Sequence, residues 1–171
     1  TSLSSFLPDQ TIVITGLSKS HAMTGWRIGY ILGPVPFINE VVKTHQYMVT
    51  SPSSSSQYGA LAAMLHGEGD CDIMKVEYKQ RRDYLAKELR RLDFEVASPD
   101  GAFYLFAKIP AKYQHLGAME FCKLLAKEAR VGVIPGTAFG KAYDNYFRIS
   151  YATSIENIKE AVERISQFIN K

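Results

Sequence analysis

Two short apolar segments that flank a polar loop constrain how the N-terminal part of the chain can fold. Residues 11–15 are rich in β-branched side chains and predict a short buried strand, which Gly16 ends at the entrance to the loop. A second strand is predicted at residues 27–32 and ends before Gly33 and Pro34. Residues 37–48 then carry apolar side chains at helical spacing. The order of strand, loop, strand and helix is typical of an α/β layer.

A serine-rich stretch at residues 50–56 is the one low-complexity patch of the sequence. Composition alone favours a flexible linker at this place. Residues 57–65, however, continue directly as an Ala-rich segment that favours a helix, for which a serine can supply the N-cap. We therefore expect the entrance of a helix here rather than a linker.

The remaining segments predict helices beside a small sheet. In chain order they are a helix at 71–92, a strand at 102–109, a helix at 118–129, and strands at 131–134 and 146–151. A capping box of Thr153 and Glu156 then starts a last helix, along which apolar residues recur every three or four positions. Helices segregated from a small sheet make an α+β unit. The predicted fold class is therefore α/β followed by α+β.

Composition and charge exclude several classes of partner. With 46% hydrophobic and 22% charged residues, the 171-residue chain is typical of a soluble globular protein. Its net charge of +3 is too small to indicate nucleic acid, and no apolar run is long enough to span a bilayer. Cys71 and Cys122 lie far apart without CxxC or metal-ligand spacing, which favours a reducing, cytoplasmic setting and no metal.

A lysine and an arginine stand eight residues apart in the loop segment at 17–30, whose sequence is LSKSHAMTGWRIGY. The amine of Lys19 can condense with an aldehyde, and the planar guanidinium of Arg27 can bind a phosphate with two hydrogen bonds. A single lysine or arginine is usually a solvated surface residue, so the inference depends on the combination. Together the two suit an anionic aldehyde cofactor.

This segment resembles the signature of class I/II aminotransferases of fold type I, in which Ser-Lys, a short variable stretch and Met-Thr-Gly-Trp-Arg-Ile-Gly follow one another. The resemblance implies that Lys19 forms the Schiff base with pyridoxal 5′-phosphate (PLP) and is the catalytic base for proton transfer. It implies that Arg27 binds the cofactor phosphate. Family members often have a hydroxyl residue three positions before the lysine. Gly16 stands there in this chain, so Ser18 or backbone N–H groups would have to replace that phosphate contact.

A second segment, residues 147–152, resembles the family strand whose arginine binds the substrate α-carboxylate, and this implies that role for Arg148. Arg148 alternates with Phe147 and Ile149 in a strand that should be mostly buried, and a buried guanidinium needs an anionic partner. A structural salt bridge within the fold is the alternative.

Two further segments, residues 100–104 and 135–140, resemble family segments on the substrate side of the site. Either Phe103 or Tyr104 would contact the substrate side chain. Alternatively, both rings belong to the core.

The resemblance covers nearly the whole chain and identifies it as the C-terminal portion of such an enzyme. It implies that residues 1–66 are a remnant of the PLP-binding large domain and that residues 67–171 form the small domain. The sequence starts Thr-Ser-Leu-Ser-Ser without an initiator Met, which also suggests a fragment. The family's N-terminal part supplies glycine-rich and aromatic elements and an acid that partners the pyridine nitrogen. We therefore expect the isolated fragment to be inactive.

The resemblance implies that the parent protein transfers an amino group between an amino acid and a 2-oxo acid through PLP. It also implies that the parent protein is a homodimer. Aspartate, aromatic and branched-chain donors all stay open. A PLP-dependent carbon-sulfur lyase on the same fold is one alternative, because fold and cofactor do not determine the reaction. An aminotransferase-like effector domain of a transcription regulator is another.

Overall fold

The computed structural model describes residues 2–170. Thr1, with which the Thr-Ser-Leu-Ser-Ser start opens, lies outside that range, and so does Lys171. The chain divides into two compact units, the first ending at Ile73 and the second beginning at Met74. The division falls within one long helix, α3 (Asp70–Arg91). The domain boundary expected between residues 66 and 67 lies before this helix. The assignment of residues 1–66 to a large domain and of residues 67–171 to a small domain stays a prediction.

The first unit has the predicted order of strand, loop, strand and helix. Its two strands pair antiparallel, and two helices follow before α3 begins. The elements are β1 (Val13–Gly16), β2 (Gly29–Leu32), α1 (Val35–Val49) and α2 (Ser54–His66). Both strands start two residues later than predicted, because backbone pairing is confined to the four residues that face each other across the ladder.

Two glycines face each other where the two strands meet the loop. Gly16 stands opposite Gly29 in the register. A Cβ atom on Gly16 would lie 2.9 Å from the carbonyl oxygen of Ile28, and one on Gly29 would lie 2.9 Å from that of Thr15. Glycine is therefore required at both positions unless the backbone moves. A hydroxyl side chain does not fit at residue 16 in this conformation.

The serine-rich stretch enters a helix, as expected, but its cap differs from the expectation. α2 begins at Ser54, so three of the serines lie inside the helix. Ser53 occupies the N-cap position without accepting a hydrogen bond from the helix backbone, and its hydroxyl pairs instead with that of Ser55 at 2.8 Å. A serine therefore occupies the N-cap position, as expected, but its hydroxyl does not supply the capping hydrogen bond.

The second unit contains a three-stranded antiparallel sheet in the order β3, β5, β4, with helices beside it. Its elements after α3 are β3 (Tyr104–Lys108), α4 (Gly117–Glu128), β4 (Ile134–Pro135), β5 (Tyr146–Ser150) and α5 (Ile155–Ile169). The strand predicted at 131–134 is wrong over its first three residues. Arg130 turns the chain with a φ of 56°, and pairing with β5 begins only at Ile134.

Period-two alternation in β3 and β5 builds the core of the second unit. Leu105 and Ala107 of β3 and Phe147 and Ile149 of β5 are buried, and the helices cover them. The first unit differs, since Leu17 and Met23 are the only buried apolar side chains among its described residues. No described helix is both long and apolar enough to cross a membrane.

The N-cap of the last helix lies one residue later than predicted. Ser154 is the N-cap, and its hydroxyl accepts a hydrogen bond from the backbone N–H of Asn157 at 3.2 Å. Thr153 accepts from the side-chain amide of Asn157 instead, so the predicted capping box of Thr153 with Glu156 is wrong. Hydrogen bonds from its own backbone N–H and from Ser154 lower the pKa of Glu156.

Replacing the cap residue should weaken the second unit. We expect Ser154→Ala to lower the free energy of unfolding by about 1 kcal/mol, because one N–H of the first helical turn loses its acceptor. Thr153→Ala is the matched control and should cost less, since its hydroxyl accepts from an exposed side chain. Urea unfolding followed by circular dichroism measures both. An equal or larger loss for Thr153→Ala would contradict the assigned cap.

Candidate active site

Lys19 lies in the loop that joins β1 to β2. It is exposed, and it stands in a turn in which the backbone N–H of His21 donates to the carbonyl of Leu17 at 3.1 Å. The buried side chains of Leu17 and Met23 anchor the loop on either side of this turn. The loop therefore presents the amine at the surface from a backbone that is tied down at both ends.

Hydrogen bonds from three side chains hold the carbonyl groups of this loop. The Thr24 hydroxyl donates to the carbonyl of Ser18 at 2.8 Å, and the Cys71 thiol donates to that of Ser20 at 3.0 Å. These are the residues on either side of Lys19. In addition, the hydroxyl of buried Ser56 donates to the carbonyl of Trp26, which precedes Arg27, at 2.7 Å. The backbone next to both candidate residues is thus held by partners outside the turn.

Arg27 follows a short 3-10 turn and adopts a left-handed backbone conformation, with φ 51° and ψ 48°. This conformation costs a residue with a Cβ atom about 1 kcal/mol. One guanidinium nitrogen donates to the carbonyl of Thr24 at 3.1 Å, and among the described residues no ion pair includes Arg27. The exposed guanidinium therefore keeps further N–H donors for an anion.

Arg148 lies at the centre of the sheet of the second unit. It stands on β5 opposite Phe106 of β3 and Ile134 of β4. Its neighbours Phe147 and Ile149 point into the core, so Arg148 belongs to the other face, where it is half-buried. No hydrogen bond or ion pair within residues 2–170 includes its guanidinium, so the alternative of a structural salt bridge is not observed in this part of the chain.

Aromatic rings take the place of a carboxylate beside Arg148. The guanidinium carbon lies 4.1 Å from the ring centroid of Tyr104 and 4.7 Å from that of Phe139. Phe103 instead packs against the core cluster of the second unit. Residues 100–104 and residues 135–140 therefore each contribute one ring to the surroundings of Arg148. The sequence did not reveal that these rings contact the guanidinium.

The structure brings Lys19 and Arg27 together on one loop of the first unit and places Arg148 in the second unit, on a sheet face of its own. The sequence did not reveal Thr24, Ser56 and Cys71 as the residues that hold the loop, although Thr24 belongs to the motif. The catalytic and binding roles of Lys19, Arg27 and Arg148 stay predictions from the motif.

Comparison with known proteins agrees with the motif. The family model described as aminotransferase class I and II matches residues 5–165. The chain belongs to this family. It is 41% identical over 170 residues to the probable N-acetyl-LL-diaminopimelate aminotransferase of Bacillus subtilis, a match that covers 99% of this chain and 43% of that protein. It is 39% identical over 165 residues to the aspartate aminotransferase of Pyrococcus abyssi, covering 95% of this chain and 42% of that enzyme.

Solved structures give the same result. The aromatic aminotransferase from Pyrococcus horikoshii superposes with a TM-score of 0.85 at 40% identity, covering 95% of this chain and 44% of that one. The fold class expected from the sequence is thereby confirmed. The chain spans less than half the length of these relatives, in agreement with the expected C-terminal portion of the fold.

Trp26, the single tryptophan of the chain, reports on the loop that carries Lys19 and Arg27. A Cβ atom on Gly59 of α2 would lie 2.7 Å from a ring carbon of Trp26, so Gly59→Ala should push the half-exposed indole further into water. We expect the fluorescence emission to shift to longer wavelength. The control is Gly69→Ala, because a Cβ atom there meets no atom within 4 Å. Unchanged emission in Gly59→Ala would contradict this packing.

Proposed function

We propose that the protein to which this chain belongs transfers an amino group between an amino acid and a 2-oxo acid with PLP as cofactor. The observation that carries the proposal is the loop between β1 and β2, which presents an exposed lysine and an exposed arginine from a backbone held by Thr24, Ser56 and Cys71. Class I/II relatives at 39–41% identity, named as aminotransferases, support it.

The residues of the loop fit the cofactor. PLP carries an aldehyde and a phosphate, and its pyridine ring supplies an electron sink when bound. Lys19 has the amine that can condense with an aldehyde. Arg27, with no ion pair among the described residues, has donors that suit a phosphate. Gly16 provides no side chain for this phosphate, so its remaining contacts would come from Ser18 or backbone N–H groups.

The chemical roles follow from these groups. Lys19 would accept a proton from Cα of the amino acid and return it at the C4′ position of the cofactor. Arg148 would bind the α-carboxylate, because its guanidinium lacks a carboxylate partner among the described residues and can bind one with two hydrogen bonds. Arg27 would keep the cofactor in place through its phosphate.

The setting of the whole protein is part of the proposal. We place it in the cytoplasm, since Cys71 and Cys122 are free thiols, which suits a reducing compartment. Burial raises the pKa of the Cys122 thiol to about 11, so this cysteine is an unreactive core residue. A homodimer is expected from the family. The aminotransferase names of the relatives favour transamination over a carbon-sulfur lyase or a regulatory domain.

Covalent trapping tests the cofactor assignment. We expect sodium borohydride treatment of the PLP-loaded full-length protein, followed by peptide mass mapping, to find a phosphopyridoxyl group on Lys19. Lys19→Arg should abolish this label. Lys43→Arg is the matched control, since Lys43 pairs with Glu40 on the surface of α1, and it should keep the label on Lys19. A label absent from Lys19 in the unsubstituted protein would overturn the assignment.

The reaction class is tested separately on the same protein. Amino-group transfer requires a 2-oxo acid acceptor for continued turnover. Release of pyruvate or ammonia without any acceptor would identify a lyase instead.

The chain on its own should associate. Helices α1 and α2 bury no apolar side chain, and Tyr47 and Met48 are 92% and 75% exposed. Helices that expose many large apolar side chains usually pack them against other protein. We expect light scattering to give a mass above the 19.1 kDa of one chain. A clean monomer at the same concentration would contradict the expectation.

A further inference from the structure

The outer face of the second unit's sheet is rich in aromatic rings. Tyr104 and Phe106 of β3 and Tyr146 of β5 alternate with the core residues of these strands and share this face with Arg148. Phe139, from the 3-10 turn Gly136–Phe139, reaches the same face. Arg148 lies among several of these rings, and this environment differs from that of a surface arginine.

Two of the rings contact the guanidinium, and they come from separate segments of the chain. Tyr104 is the first residue of β3, and Phe139 ends the turn that follows β4. Both centroids lie within the distance of about 6 Å at which a cation is attracted to a ring. The side chain of Arg148 is therefore held by attraction to two π systems.

Neither ring stands alone. The ring of Tyr104 packs against that of Phe103 with centroids 4.5 Å apart, and Phe139 meets Phe106 at 6.0 Å. Phe106 in turn stacks on Tyr146, with centroids 5.3 Å apart and ring planes 8° from parallel. These contacts restrict the movement of the two rings that touch Arg148.

A π system and a carboxylate differ in how many N–H donors of an arginine they occupy. A carboxylate accepts two of the guanidinium N–H donors, whereas a ring attracts the charge without needing that pair of directed hydrogen bonds. Every buried side-chain nitrogen or oxygen in the described chain has a hydrogen-bond partner. Since Arg148 has none among these residues, its nitrogens are accessible to solvent. Its donors stay available to a ligand.

We propose that Tyr104 and Phe139 are positioning residues that clamp the guanidinium of Arg148 and keep its N–H donors available for the substrate carboxylate. This rests on the proposed function, which assigns that carboxylate to Arg148. A guanidinium that is already held loses less side-chain freedom when the carboxylate binds. The two rings therefore contribute to affinity for the substrate through their hold on Arg148.

The test is amino-acid turnover by the full-length, PLP-loaded protein. We expect Tyr104→Leu and Phe139→Leu each to raise KM for the amino acid about fivefold, with kcat changed less than twofold, because each removes one cation–π contact. Tyr104→Phe keeps the ring and should retain a KM close to that of the unsubstituted protein. Tyr143→Leu is a matched control, because its ring contacts Phe106 and is not one of the two rings over Arg148.

A double-variant cycle separates positioning from a structural role. In an Arg148→Gln background, adding Phe139→Leu should raise KM less than twofold, because the positive charge that the ring attracts is gone. Phe139 is 45% exposed, so its replacement is compatible with folding even if that of Tyr104 is not.

Two results would overturn the clamp in an active protein. One is an unchanged KM in Phe139→Leu, and the other is the same KM increase in both Arg148 backgrounds. Absence of amino-acid turnover in the unsubstituted full-length protein would instead overturn the proposed function.

Discussion

Antiparallel pairing of β3 with β5 is the constraint on which the second unit depends. The register sets Phe106 opposite Arg148 and Leu105 opposite Ile149, so alternate residues belong to the core and to the outer face. A slip of one residue would bury the guanidinium and expose Phe147. The apolar contacts that stabilise the sheet therefore also decide on which face Arg148 stands. In this unit Arg148 and the core residues lie on opposite faces of the same pair of strands.

Strong apolar periodicity made the helices predictable. α3 was expected at 71–92 and occurs at Asp70–Arg91, and α4 was expected at 118–129 and occurs at Gly117–Glu128. The errors concern features that periodicity does not contain. Whether Thr153 or Ser154 caps α5 depends on which residue leaves the helical conformation, and the length of β4 depends on where its chain reaches β5. Such features are decided by a few dihedral angles and by tertiary contacts.

For the candidate site, residue type and spacing indicated the chemistry, but they did not indicate which residues hold the loop backbone in place. Lys19, Arg27 and Arg148 could be proposed from the sequence because the segments around them resemble family motifs, and their amine and guanidinium groups suit the implied chemistry. The bond from Ser56 to the carbonyl of Trp26 spans 30 positions, and Ser56 belongs to a stretch whose composition suggests a linker. Partners of this kind become visible only once the helices and strands are packed.

The backbone of Arg27 has a consequence for how this position can change. Its left-handed conformation is one that glycine adopts without steric cost, whereas arginine does not. Selection for stability alone would therefore drive the position towards glycine, and selection for anion binding would keep the guanidinium. A conformational penalty accepted at a loop that carries the candidate chemistry is a local trade-off between stability and activity. Laboratory evolution for thermostability alone would be expected to lose this arginine.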